Sequence, residues 1–146
     1  MYINVFYVKI LKTNLNKTIF ALNMKIKVLF NMTKEKFEIE INTLKKFFEV
    51  YCKDKHENQI QKTVNLEYKD KKFTLDLLLC EECHEAINYS FERLDQCPHE
   101  IKPRCRTCPS PCYEKSRWKN IAKVMKYAAI KLSLTKMKNK IKSIFS

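Results

Sequence analysis

Residues 80–112 read CEECHEAINYSFERLDQCPHEIKPRCRTCPSPC, and they hold six of the chain's seven cysteines in the order Cys80-x2-Cys83, Cys97, Cys105-x2-Cys108-x3-Cys112. Two residues between a pair of thiols let both turn back on one metal ion, with nearby backbone amides pointing at sulfur. Only Cys52 lies outside the stretch, and His56 follows it four residues later. Adding that pair brings the count of soft donors to eight, enough for two four-coordinate metal sites.

Other uses of cysteine fit the pattern less well. A disulfide framework calls for an oxidising compartment and usually an even number of cysteines, whereas this chain has seven. Its first residues show neither an unbroken apolar run nor a small-residue cleavage site, so a cytoplasmic location is expected. Scattered buried thiols would not predict two C-x2-C pairs with prolines between them. Pro98, Pro103, Pro109 and Pro111 all fall in the loop from Cys97 to Cys112, where proline lowers the entropy lost when a loop wraps a metal.

Upstream, Phe37, Ile41, Leu44, Phe48 and Tyr51 recur at intervals of four and three, one stripe of an α-helix over residues 33–52. Thr33 is placed to cap it, with Glu35 in the first turn. Cys52 continues the same edge from Phe48, and His56 continues it from Cys52, so the two donors project together. The plainer alternative makes Cys52 a core thiol and His56 a surface imidazole; the unmatched Cys80 and Cys83 pair favours ligation.

Between them, Val64, Leu66 and Tyr68 alternate, a polar Lys69-Asp70-Lys71-Lys72 follows, and Phe73, Leu75 and Leu77 alternate again, which leaves room for one short β-hairpin. The chain has no glycine, so any left-handed position must be filled by Asn, Asp or a strained residue. Downstream of the first knuckle, Ile87, Phe91 and Leu94 predict a helix over residues 83–96, ended by Cys97-Pro98. Trp118, Ile121, Met125, Ala128 and Leu132 predict another, with a weaker continuation through Leu134, Met137, Ile141 and Phe145.

The expected fold is therefore mainly α: a small, metal-stapled helical domain with a Pro/Cys-rich loop. Metal ligation is expected to supply much of its folding free energy, so chelation should unfold it. Residues 1–31 carry five lysines and no acidic residue. They read as an N-terminal extension, with Met32 the expected native start and residues 32–146 the domain.

Formal charge is +13. Metal ligation needs thiolates. A zinc site of three cysteines and one histidine and a second site of four cysteines would together carry −3, which takes +13 to +10 and leaves a basic protein. Residues 115–146 contain ten basic side chains and no acidic one, a face that is solvated or lies on nucleic acid, the ribosome or an anionic membrane surface. No run approaches the roughly 18 apolar residues of a membrane span. There is no phosphate loop and no Ser-His-Asp candidate, and no thioredoxin-like βαβ pattern surrounds the C-x2-C pairs, so no enzyme is expected. His84 and His99 stand next to ligands, where local hydrogen bonding is their expected role.

The tract Cys80-Glu-Glu-Cys83, helix, Arg93-Leu94-x2-Cys97-Pro98, Lys102-Pro103-Arg104-Cys105-x2-Cys108-Pro109-x2-Cys112-Tyr113 resembles the nitrous oxide-stimulated promoter family of small bacterial proteins. Tyr51-Cys52-x3-His56 and Val124-Met125-Lys126-Tyr127 resemble its flanking motifs. The chain departs from that family at Ala128-Ala129-Ile130, where members carry Gly-Pro, and at Pro111, where they carry His; residues 58–74 read as an insertion. The resemblance implies a cytoplasmic protein linked to nitrogen-oxide stress and no established reaction.

The residues pair most simply as sequential quartets, with Cys52, His56, Cys80 and Cys83 at one metal and Cys97, Cys105, Cys108 and Cys112 at another. Mixed Cys/His ligation suits structural zinc at the first, and four cysteines suit zinc or a [4Fe-4S] cluster at the second. The function so read is a metal-thiolate protein that protects against or senses nitric oxide, with a zinc-stabilised basic module binding nucleic acid or the ribosome as the alternative.

Overall fold

The computed structural model describes residues 32–144, and the reading of residues 1–31 as an extension falls on residues outside that range. Helix α1 spans Lys34–Lys55, strands β1 and β2 span Ile60–Tyr68 and Lys71–Leu79, helix α2 spans Glu81–Asp95, a single 3-10 turn spans Cys105–Thr107, and helix α3 spans Lys115–Ile144. The described residues are mainly helical with one antiparallel hairpin, as the periodicities predict. The helix ends shift by a few residues. Helix α1 runs on past Cys52, and α2 begins at Glu81, so Cys80 is its N-cap and Cys83 lies in its first turn.

Local chemistry accounts for these boundaries. The Thr33 hydroxyl accepts from the Lys36 amide at 3.2 Å and caps α1, with Glu35 in the first turn against the helix dipole. At the other end the C-cap His56 is extended, and two residues on Asn58 takes φ 56°, a left-handed conformation that asparagine tolerates. The hairpin turn is Lys69-Asp70, with φ 47° and 64°. Two consecutive positive values suit the two-residue turn whose twist matches that of the strands. Asp70 is the kind of residue expected there in the absence of glycine; Lys69 is not, and its ammonium lies 5.5 Å from the Tyr68 ring.

The hairpin presents one face to the helices. Phe73, Leu75, Leu77 and Leu79 are buried while their neighbours in β2 are exposed, except that Leu79 is followed by half-buried Cys80. Phe37 of α1 stacks flat on Tyr68, with ring centroids 4.1 Å apart, and tilts against Phe73 at 5.5 Å. The Tyr68 hydroxyl donates to the Met32 carbonyl at 2.9 Å, tying the start of α1 to the turn end of the hairpin. Phe48, Ile87, Phe91 and Leu94 fill the space between α1 and α2, and Ile121, Val124 and Ala128 seat α3 on them.

The hairpin register places the site. Ile60 pairs with Leu79 and Tyr68 with Lys71, so the two strands are of equal length and their open ends lie side by side. The chain enters β1 just after Cys52 and His56 and leaves β2 at Cys80. An in-register hairpin thus returns the chain to its point of departure, and its length can change without separating the two halves of the site.

Candidate metal centre

Cys52 and His56 come from the last turn and C-cap of α1, and Cys80 and Cys83 from the N-cap and first turn of α2. Their four ligand atoms all lie within 4.8 Å of one another. His56 Nδ1 is 3.2 Å from both Cys80 Sγ and Cys83 Sγ. Tetrahedral zinc, with bonds of about 2.0–2.3 Å, spaces its donors about 3.5–3.8 Å apart, so a small contraction or relaxation separates the present spacing from a coordination sphere. The donor set and its convergence fit a metal ion such as zinc.

The surroundings act on the thiols in opposing ways. The Cys80 amide donates to Cys52 Sγ at 3.2 Å, and the N-terminus of α2, with its unsatisfied amides, faces Cys80 and Cys83. Cys52 and Cys83 are fully buried. Burial is the first cause that raises both thiols above their ordinary range, and for Cys83 the neighbouring Cys52 adds to it. A cation between the sulfurs removes that penalty, because it supplies the charge that the thiolates lack in an apolar setting.

The histidine is held from two sides. His56 N donates to the Cys52 carbonyl at 2.9 Å, and the Gln59 side chain donates to the Cys52 carbonyl at 3.1 Å and the His56 carbonyl at 2.7 Å. Gln59 thus satisfies the end of α1 that no glycine closes. Tyr51 meets the His56 ring edge-on at 5.4 Å and the Tyr127 ring at 5.6 Å. The Tyr127 hydroxyl donates to Asp54 at 2.9 Å, and Lys131 pairs with the same carboxylate. Helix α3 is therefore clasped to the turn of α1 that bears Cys52. Gln59, Asp54 and Lys131 carry no sequence signal, because their roles depend on tertiary contacts; the Val124-Met125-Lys126-Tyr127 motif does point to Tyr127.

The second set of cysteines is arranged differently. Among the described residues, the first quartet is the group of metal-ligating side chains that converges on one point. Cys97, Cys105, Cys108 and Cys112 instead surround a cavity of about 340 Å³, with Lys102 and Trp118 also in its wall. A further cavity of about 270 Å³ adjoins Cys97, Cys105, Cys112 and Arg93, and the buried Arg93 Nε has no protein partner. Partial desolvation of the otherwise exposed Cys112 side chain, then the nearby Cys105 and Cys97 thiols, raises that thiol above its ordinary range.

The two remaining histidines bond locally, as their positions suggest. His84 is buried, and its Nε2 lies 3.1 Å from the Ile60 carbonyl, holding α2 to the first residue of β1. His99 Nε2 lies 3.3 Å from Cys108 Sγ.

The family model described as nitrous oxide-stimulated promoter matches residues 35–146, which is most of the chain and includes every candidate ligand. The chain belongs to that family. No curated protein and no solved structure matches it. The family's matched region starts at the first turn of α1 and takes in both cysteine quartets and the whole of α3. No helix among the described residues is long and apolar enough to cross a membrane.

Proposed function

We propose that this member of the family is a cytoplasmic metal-thiolate protein of the bacterial response to nitric oxide and related nitrosative stress, with a protective or sensing role and no catalytic turnover. In this reading Cys52, His56, Cys80 and Cys83 hold structural zinc, and Cys97, Cys105, Cys108 and Cys112 hold a [4Fe-4S] cluster or a second zinc. The observation that carries it is the convergence of Cys52, His56, Cys80 and Cys83 from two helices that the hairpin joins and that pack on each other. The family's description supports the link to nitrogen oxides.

Metal-bound thiolates are nucleophilic and release the metal when oxidised or capped, and iron–sulfur centres are open to attack by nitric oxide. The protein's own residues divide these tasks. The first quartet is half enclosed, with Cys52 and Cys83 buried and His56 and Cys80 half-buried, and suits a staple. Cys112 of the second set is exposed and suits a site that meets small reactive molecules.

The test is to purify the chain without oxygen, measure zinc, iron and sulfide per chain with the visible spectrum, and then add a nitric oxide donor. Bound metal, followed by a spectral change or metal release on exposure, is the expected result. A chain that binds no metal, or one whose metal content and spectrum do not respond to excess donor, overturns the proposal.

A further inference from the structure

Helix α3 has two apolar faces, and the domain uses one of them. At about 100° per residue, Ile121, Val124, Ala128 and Leu132 fall on a single side of the helix. Ile121, Val124 and Ala128 are buried against the body of the protein, and Leu132 is half-buried. Ile130, Leu134, Met137, Ile141 and Ile144 form a second band, about 80° wide and roughly opposite the first. These five side chains are 52–69% exposed. From Ser133 to Ile144 every residue of α3 is exposed, a length of about 18 Å.

The flanks of this outer band are basic. Lys138 and Lys140 stand about 40° beyond its two edges and Lys136 about 40° further round from Lys140, while no acidic residue occurs anywhere in α3. Lys131 is already engaged with Asp54. An apolar strip narrower than a third of the circumference, bordered on both sides by lysines whose alkyl stems can lie along it, is the pattern of a helix lying in a lipid headgroup region.

Charge decides among the occupants. A second copy would set the intervals of four and three against each other as a coiled-coil seam, but the positions beside that seam are Lys131, Ser133, Lys138 and Lys140, with no carboxylate to oppose them. Residues 1–31 are equally basic, with five lysines and no acidic residue, and so are disfavoured for the same reason. Nucleic acid would match the lysines but offers nothing to the five exposed apolar side chains that lie between them.

We infer that the outer face of α3, from Ile130 to Ile144, docks on an anionic phospholipid membrane surface, with the apolar band at the acyl boundary and Lys136, Lys138 and Lys140 at the phosphates. The domain would then be held at the bilayer by the outer face of α3, with no spanning segment required.

The test uses the full metal-loaded chain and co-sedimentation with vesicles of phosphatidylcholine alone or mixed with phosphatidylglycerol. Binding to the mixed vesicles only, weakened by salt, is expected. L134N/M137N/I141N should abolish it, and K136Q/K138Q/K140Q should reduce partitioning on the order of a hundredfold. All six side chains are exposed, and circular dichroism with metal content confirms that the variants keep the fold. Absence of binding to the anionic vesicles, or equal binding by wild type and L134N/M137N/I141N, overturns the inference. A dimer in lipid-free solution that dissociates in L134N/M137N/I141N also overturns it and assigns the face to self-association.

Discussion

Zinc binding at the first quartet should be steeply pH-dependent in a way that counts its thiols. Burial holds Cys52 and Cys83 protonated well above neutral pH, so each must lose a proton when the ion enters. At least two protons are therefore released per ion. Each contributes a tenfold change in apparent affinity per pH unit, so between about pH 7 and pH 8.5 affinity should rise at least a hundredfold per unit, or about 2.7 kcal/mol. The metal-free fold has the opposite sign. Its thiol pKa values are raised above the ordinary 9.0, so their contribution is fully present below that value and is lost as pH rises above it. The assay is competition against a chromophoric chelator at several pH values, with calorimetry in buffers of different ionisation enthalpy to count protons. Cys52→Ala should lower the slope by one proton. A slope below two for the native chain would mean that Cys52 and Cys83 do not both bind the ion, and the site as described would be wrong.

Further outcomes follow from the same contacts. Removal of metal by a strong chelator should abolish the cooperative thermal transition, and a metal-free protein that kept it in full would show that ligation is not a principal source of stability. Phe37→Ala empties a fully buried position stacked on Tyr68 and should cost about 3–5 kcal/mol in urea unfolding of the metal-loaded protein, with the m-value unchanged. Replacing the turn by Lys69→Asn with Asp70→Gly relieves two left-handed non-glycine residues and should stabilise by about 1 kcal/mol while metal content stays the same. Asp54 is held below the ordinary carboxylate range by Lys131 and then by Tyr127, so its clasp on α3 is present at neutral pH and lost as pH falls through its folded value. Asp54→Asn should accordingly speed hydrogen exchange in the middle of α3 at neutral pH, with little further change on acidification.

Helices and donors were legible in the sequence because their signals are local. The spacing of Phe37, Ile41, Phe48 and Tyr51 encodes the buried side of α1, and Cys52 and His56 at i and i+4 follow from its period. The alternation on either side of Lys69-Asp70 encodes the hairpin, and a glycine-free turn is met by an aspartate that tolerates positive φ. The C-x2-C spacing marks Cys80 and Cys83 as a pair whatever surrounds them. The sequence pairs the two sets only as the simplest grouping; that they do meet depends on a tertiary register in which Ile60 faces Leu79. Tertiary structure also decided that the four cysteines of the proline-rich loop open around a cavity rather than closing on a point, a matter of loop packing against α2 and α3 that residue spacing does not contain. The outer band of α3 divides the same way. Its apolar residues and lysines are plain in the sequence, but only the packed helix shows that Ile121, Val124 and Ala128 satisfy the core from the other side and leave Ile130, Leu134, Met137, Ile141 and Ile144 facing outward.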